Sequence, residues 1–273
     1  RDAVFPATIV GLPPQEDYYL GKATERIFLP LLQTIVHDIV DYHLPMFGCF
    51  HYCAFIKIEK AYPLQARRVM HAIWGAGQMA WTKIIVVVDE SVDVHDERAV
   101  LAAIAEHVDP RRDLECTRGP LDILDHASAY LGAGGKLGID ATRRWPGEAA
   151  GGIEVTEPFA ARRPDDVALQ LGGCIGTAGI TDLAVPDWGR GRWTFVAVEK
   201  DAPGAGPVAF DAIWNSADEG TADIAVVVDA TVDVHDREAV LFHLCANLDP
   251  TRDLGFDGPR LGHDATAKVP GAG

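Results

Sequence analysis

Two stretches of the chain repeat one another. Residues 83–114 read KIIVVVDESVDVHDERAVLAAIAEHVDPRRDL, and residues 223–254 read DIAVVVDATVDVHDREAVLFHLCANLDPTRDL. At a constant offset of 140, 18 of these 32 positions carry the same residue. Two copies of a unit this long indicate duplicated domains rather than a solenoid of short repeats.

The similarity continues on both sides of the repeat. Residues 55–60 match residues 195–200 at the same offset. Downstream, residues 137–142 match residues 261–266, but there the offset has dropped to 124. The second copy therefore lacks a stretch near residues 121–136, and we expect it to be a degenerate version of the first.

Both copies have the same order of predicted elements. The β-branched run Ile84 to Val88 and its counterpart in the second copy are apolar throughout, as is typical of buried parallel strands. An acidic turn follows, and then Val100, Leu101 and Ile104 recur at helical spacing after Asp96, a candidate N-cap. Alternating strands and helices predict an α/β fold of two tandem related units, each a mostly parallel sheet flanked by helices. We place the first unit at residues 28–148, the second at 165–273 and a Gly- and Ala-rich linker at 149–164.

The composition excludes several classes of protein. Lys and Arg total 24 against 40 Asp and Glu, a formal charge of −16, which disfavours nucleic acid and anionic membranes as partners. Apolar runs are too short to span a bilayer. The five cysteines are scattered and odd in number, so a disulfide framework is not expected. We predict a soluble cytoplasmic protein.

Two groups of residues could bind a metal ion, and for both we prefer a structural interpretation. Cys49 and Cys53 flank His51, but no second ligand pair follows at zinc-site spacing, and buried cysteines are common. The other group follows the repeated strand and suits Mn²⁺ or Mg²⁺. Its members are Asp89, Asp93, His95 and Asp96. Because the second copy keeps these four residues, a shared folding requirement such as helix capping explains them better than one active site.

A glycine-rich stretch, Gly132–Gly138, contains Lys136. Backbone N–H groups in such a loop, together with an ammonium group, can hold a phosphate. The stretch lacks the Gly-Lys-Ser/Thr sequence of a nucleotide P-loop, so by itself a flexible loop with a solvated lysine is the simpler interpretation. The second copy has no such loop.

The stretch Gly11–Asp17 places two adjacent carboxylates, the first of them Glu16, between a strand-like run and a helical one. Glu16 could act as a general acid or base in a pocket that favours its protonated form. Alternatively, the carboxylates cap the helix that continues through Leu20, Ile27 and Leu31. The residues alone favour the cap.

Several stretches together resemble one family. They are Phe5 to Asp17, Ala66 to Trp74, Thr82 to Asp96, Asp109 to Asp113, Gly119 to Asp122, Leu124 to Ser128 and Lys136 to Thr142. The combination resembles the UbiD family, the prenylated-flavin-dependent decarboxylases that include 3-octaprenyl-4-hydroxybenzoate carboxy-lyase. The resemblance covers residues 1 to about 148, and the second copy is similar to the duplicated C-terminal unit of some longer members.

The resemblance implies a function. Such enzymes reversibly remove CO₂ from aromatic or α,β-unsaturated acids, by family default a polyprenyl-hydroxybenzoate, using prenylated FMN as an electron sink beside a divalent metal such as Mn²⁺. By motif, Glu16 takes the place of the catalytic glutamate that protonates the carbon after CO₂ departs. Lys136 takes the place of the lysine that contacts the flavin phosphate. A homo-oligomer is also implied.

The chain departs from the family pattern at its beginning. The family's metal ligands, and the arginine that pairs with the catalytic glutamate, belong to a preceding flavin-binding domain, of which residues 1–27 resemble only the end. We therefore expect an exposed Glu16 in the isolated chain. The two hypotheses are the C-terminal part of a decarboxylase, active only with that domain, and a non-catalytic oligomerisation module.

Overall fold

A computed structural model describes residues 15–145, 148, 158–200, 204–218 and 220–268. The first unit comprises α1 (Gln15–Ile35), β1 (Ile39–His43), β2 (Cys53–Ile58), α2 (Gln65–Trp74), β3 (Ile84–Val88), α3 (Glu97–His107), β4 (Leu114–Pro120) and β5 (Ala133–Asp140). Its five strands have the order β1-β2-β3-β5-β4. The central strands β2, β3 and β5 are parallel, and both edge strands are antiparallel to their neighbours.

The second unit repeats this topology. It comprises α4 (Pro164–Leu171), β6 (Ile180–Ala184), β7 (Trp193–Val198), α5 (Ala205–Ser216), β8 (Ile224–Asp229), α6 (Arg237–Asn247), β9 (Leu254–Asp257) and β10 (Arg260–Asp264). The strand order is β6-β7-β8-β10-β9, with parallel pairing again confined to the three central strands. The prediction of two tandem α/β units is confirmed, and the sheets are mixed because each edge strand reverses direction.

The units differ where the sequences predicted a deletion. In the first unit, residues 121–132 connect β4 to β5, whereas in the second only residues 258–259 connect β9 to β10. The expectation of a flexible loop at Gly132–Gly138 is wrong, because β5 lies between β3 and β4 and is paired on both sides. Its glycines permit close packing: a Cβ on Gly134 would lie 2.0 Å from the Ser128 hydroxyl oxygen.

A single apolar core joins the two units. It contains residues from α3 and α6 and from the facing sides of both sheets, including Phe55, Leu101, Trp193 and Leu241. Helix α6 packs on the 3₁₀ turn 46–48 of the first unit, and α3 packs on the equivalent turn of the second. The outer face of each sheet has its own core, beneath α2 in one unit and α5 in the other. Burial of this shared apolar surface is the main force that holds the units together.

Two buried cations reinforce the contact between the units. The Lys83 ammonium donates to the Leu248 carbonyl, just after α6, at 3.1 Å, and the Arg192 guanidinium donates to the Val108 carbonyl, just after α3, at 3.3 Å. The two carbonyls occupy equivalent positions in the repeat. Each unit thus places a cation at the C-terminus of the other unit's helix, where the helix dipole is negative.

The expected domain limits can be compared with the elements. The limit between residues 27 and 28 falls inside α1. Residues 149–157 of the expected linker lie outside the described residues, and Phe159 beyond them donates its N–H to the Glu106 carbonyl. Among the described helices, none combines the length and the apolarity needed to cross a bilayer.

Candidate functional site

Glu16 lies in the first turn of α1, and its side chain is exposed, as we expected for the isolated chain. The positive end of the helix dipole favours a carboxylate there. The strand-like run expected before it lies within residues 1–14, outside the described residues. Glu16 is therefore accessible to a substrate or to another part of a protein.

Lys136 lies in β5, and only 1% of its surface is exposed. Its ammonium donates to the carbonyls of Ala80, at 2.7 Å, and Thr82, at 2.8 Å. Burial lowers the pKa of Lys136 to about 8, although the negative charge of Asp125 opposes this. A buried amine that already serves two carbonyls does not by itself form a cradle for a flavin phosphate. The described residues therefore do not fit a complete flavin site.

The acidic turn after β3 is structural, as predicted. Asp89 accepts hydrogen bonds from the backbone N–H of Arg143 at 2.7 Å and of Ser91 at 3.0 Å. Burial opposes ionisation of Asp89, but these and other hydrogen bonds outweigh it and lower its pKa to about 2. Asp96 caps α3, and Asp93 accepts from the N–H of His95. Each carboxylate serves neighbouring N–H groups, and the three do not converge on one point.

The cysteines near His51 also support the structural interpretation. Cys53 is buried in β2 and contacts Cys245 of the second unit. Burial raises the pKa of Cys49 to about 11 and also raises the pKa of the Cys53 thiol. The contact with Cys245 gives Cys53 a packing role between the two units.

A buried charged cluster that the sequence analysis missed lies where α1 meets β1. The Glu25 carboxylate is 1% exposed, and its Oε1 accepts from the Lys22 ammonium and from the Leu44 N–H, both at 2.7 Å. The Lys22 ammonium also lies 2.8 Å from Nδ1 of His43. Because an ammonium only donates, this Nδ1 accepts, and the other ring nitrogen carries the proton and faces Glu97 at 3.4 Å.

In this structure the cluster is a network of ion pairs and hydrogen bonds. Ligand atoms of Glu25, His43 and His95 lie within 4.8 Å of one another. However, the Lys22 ammonium occupies the space between Glu25 and His43, and the Arg26 guanidinium lies 2.8 Å from Nε2 of His95. The Lys22 ammonium thus pairs with Glu25, the one carboxylate of this group, and the Arg26 guanidinium contacts the His95 ring.

Helix α1 explains why the cluster was missed. Its apolar residues Leu20, Ile27 and Leu31 are all more than half exposed, whereas Glu25 is buried. The buried side of the N-terminal half of α1 is therefore polar. The one sequence signal was the pair Lys22 and Glu25 at helical spacing, and nothing local connects that pair to His43.

Comparison with known proteins finds a match to a family model. The model of the 3-octaprenyl-4-hydroxybenzoate carboxy-lyase C-terminal domain matches residues 18–141 and 169–265. An uncharacterized protein of Archaeoglobus fulgidus is 51% identical over 149 residues, which are 54% of this chain and 31% of that protein. An uncharacterized protein of Aquifex aeolicus is 47% identical over 176 residues, 63% of this chain and 36% of that protein. The chain thus spans about a third of the length of the curated relatives it matches.

Two solved structures are also similar to parts of the chain. The UbiD-class enzyme HmfF from Pelotomaculum thermopropionicum, in complex with FMN, is 30% identical, with 47% of this chain and 29% of that chain covered and a TM-score of 0.41. Vanillic acid decarboxylase from Sedimentibacter hydroxybenzoicus, in an open form, is 26% identical, with 51% and 30% covered and a TM-score of 0.47. The family model matches both units over most of their length. The chain therefore belongs to the UbiD family, as a 3-octaprenyl-4-hydroxybenzoate carboxy-lyase C-terminal domain.

Proposed function

We propose that this chain is the C-terminal part of a non-oxidative decarboxylase that uses prenylated FMN and acts on aromatic or α,β-unsaturated carboxylic acids. The match of the family model to both units carries the proposal. In it, the flavin and a divalent metal such as Mn²⁺ bind mainly to another part of the enzyme. Lys136 would contact the flavin phosphate only after its ammonium leaves the carbonyls of Ala80 and Thr82. A polyprenyl-hydroxybenzoate is the proposed substrate.

In this proposal Glu16 supplies the proton. When the bond between the substrate and its carboxylate breaks, CO₂ leaves and an electron pair remains on the carbon. The Glu16 carboxyl group then donates a proton to that carbon, and a new C–H bond forms. A carboxyl group stays protonated near neutral pH only when it is partly shielded from water, so another part of the enzyme must cover the exposed first turn of α1.

Replacement of Glu16 in the cofactor-loaded parent enzyme tests this role. We expect Glu16→Gln to fold and to bind prenylated FMN with an unchanged absorption spectrum. Its turnover should fall by about 10²- to 10⁴-fold, the usual effect of losing a positioned general acid. The neighbouring carboxylate offers a matched control, and Asp17→Asn should keep most of the turnover. Full activity in Glu16→Gln would show that another group donates the proton.

The exposed face of α1 favours a second candidate, an oligomerisation module. Leu20, Ile27, Leu31 and Ile35 are 67%, 68%, 56% and 60% exposed, and they recur at helical spacing. Exposed apolar rows of this kind mark protein interfaces. If this face joins copies of the chain, Ile27→Asp should lower the molecular mass measured by light scattering, whereas Thr34→Asp on the same helix should not. A monomeric wild-type chain would contradict this candidate.

A further inference from the structure

The first residues of α3 and α6, Glu97 and Arg237, face each other across the two units. They occupy equivalent positions in the repeat, and an Arg237 nitrogen lies 3.2 Å from Oε2 of Glu97. Identical copies would bring two like charges together here. Instead, Glu97-Arg98 in the first copy becomes Arg237-Glu238 in the second, and the exchange produces an attractive pair.

The other oxygen of Glu97 belongs to the buried cluster. Its Oε1 lies 3.4 Å from Nε2 of His43, whose side chain is 5% exposed. The opposite ring nitrogen of His43 contacts Lys22 of α1 at 2.8 Å. One carboxylate therefore contacts the second unit with one oxygen and, through His43, helix α1 with the other.

The groups around His43 come from α1, from β2, and from the turn and helix that follow β3. Lys22 and Glu25 face it from α1, Glu97 from the start of α3, and the rings of His95 and Phe55 lie 5.1 and 6.1 Å away, centroid to centroid. Burial opposes protonation of the ring, but Glu25 and Glu97 outweigh it and raise the pKa of His43.

Charges from both units also act on Tyr18, at the start of α1. Tyr18 lies two residues after Glu16. Burial raises the pKa of Tyr18, and so do the negative charges of Glu97, which begins α3, and Glu238, in the first turn of α6. The first turn of α1 therefore lies close enough to the N-termini of both helices to respond to their charges.

We propose that Arg237 of the second unit is a positioning residue for α1, acting through Glu97 and His43 on the helix that carries Glu16. The second unit thereby helps to position Glu16, the proposed acid, through α1. The arrangement is one-sided. The residue paired with Phe55 across the sheet is His43, but its counterpart beside Phe195 is Ala184, so this position of the second unit has no histidine. The inference rests on the proposed function only for the role given to Glu16.

Hydrogen exchange measured by mass spectrometry on the full 273-residue chain tests the coupling, because the position of α1 can be followed without any activity. In Arg237→Gln we expect peptides from the first half of α1 to exchange about three- to fivefold faster, while α5 peptides keep their rate. Arg237→Lys should restore slow exchange. His235→Gln, which removes the exposed pair of His235 with Asp182 in the second unit, serves as the matched control and should leave α1 unchanged.

The charge-swapped double variant Glu97→Arg with Arg237→Glu separates coupling from simple adhesion between the units. It restores an attractive pair across the units but leaves His43 without the Glu97 carboxylate. We expect its melting temperature to return close to that of the wild type while α1 still exchanges fast. Recovery of slow α1 exchange in this variant, or unchanged α1 exchange in Arg237→Gln, would overturn the proposal. Neither result depends on decarboxylation, so failure of the proposed function would not alter them.

Discussion

The two units share a topology but anchor their shared interface with different residues. In the first unit the buried cation is Lys83, just before β3, and in the second it is Arg192, just before β7. At the position equivalent to Lys83, the second unit has Asp223, which pairs with Arg192 at 2.8 Å. Both units therefore place a cation at the C-terminal end of the other unit's helix, but the cation comes from a different sequence position in each unit.

The carboxylates that pair with the two buried cations come from different parts of the two units. Lys83 pairs with Asp125, which belongs to the connection between β4 and β5 that the second unit lacks. In the second unit the carboxylate comes from Asp223, the residue just before β8. Loss of residues 121–132 in one copy is therefore compatible with a buried cation, because the pairing carboxylate comes from a different place.

Of the substitutions considered, Arg192→Met should lower the free energy of unfolding most, because it removes the buried cation of the second unit. It leaves Asp223 buried with Arg260 as a more distant partner, at 3.9 Å. Removing one member of a buried ion pair costs about 3–5 kcal/mol of unfolding free energy, measurable by urea denaturation. Arg163→Met, at a side chain that is 77% exposed, is the control and should change stability by less than about 0.5 kcal/mol.

Lys83→Met should cost less than Arg192→Met, because the Asp125 charge left behind still interacts with Lys136. An equal or greater cost would show that the two anchors are equivalent despite their different surroundings.

A histidine in the core of the second unit sharpens the comparison under acid conditions. His263 in β10 stands where the first unit has Ile139. Burial lowers the pKa of His263 to about 4, and its contact with the Ala225 carbonyl opposes this only in part. An unfolded histidine has a pKa of about 6.5, so between these values the unfolded chain binds a proton that the folded chain does not. Stability is therefore lost as the pH falls from about 6.5 to 4, by about 3 kcal/mol in total.

His263→Ile should remove that acid sensitivity. Between pH 7 and pH 4 the unfolding free energy of the variant should fall by about 3 kcal/mol less than that of the wild type, because isoleucine does not titrate. His37→Gln, at an exposed histidine, should retain the wild-type dependence. If the unfolding free energies of His263→Ile and the wild type fell in parallel between pH 7 and pH 4, His263 would take up its proton equally well in the folded and the unfolded chain.

Paired glycines in the central strands give a smaller and asymmetric effect. A Cβ on Gly138 would lie 2.5 Å from the sulfur of Met70, and a Cβ on Gly262 would lie 2.7 Å from the Phe210 ring. Methionine is flexible, whereas Phe210 is stacked on Trp214 with ring centroids 5.4 Å apart. We expect Gly138→Ala to cost about 1 kcal/mol and Gly262→Ala about 2–3 kcal/mol in thermal or urea unfolding. The reverse order would show that the stacked pair adapts more readily than the methionine.

The parts of the fold that the sequence predicted depend on local chemistry. The run Ile84 to Val88 is β-branched, and Asp96 caps α3 through the N–H groups of Arg98 and Ala99. Such features involve residues within a few positions of each other. The Gly132–Gly138 stretch resembled a loop because its composition is that of a loop, and only pairing with the distant strands β3 and β4 makes it a strand.

The candidate site was predictable only where a motif marked it. Glu16 and Lys136 came from family motifs, and the sequence did not show that the Lys136 amine would be buried. The contact between Lys22 and His43 joins residues 21 positions apart, and that between Glu97 and Arg237 joins residues 140 apart. No periodicity encodes such contacts, because they depend on how α1 and the second unit pack on the first.

The helix caps should give the smallest effect and the closest agreement between the units. Asp96 accepts from the N–H groups of the second and third residues of α3 at 3.0 and 3.2 Å, and Asp236 does the same for α6 at 3.0 and 3.3 Å. Each carboxylate also lies at the positive end of a helix dipole. We therefore expect Asp96→Ala and Asp236→Ala each to cost about 1 kcal/mol of unfolding free energy. The double variant should lose the sum to within about 0.5 kcal/mol if the two sites are independent. A larger departure from additivity would show that the N-termini of α3 and α6, which already meet at Glu97 and Arg237, loosen together.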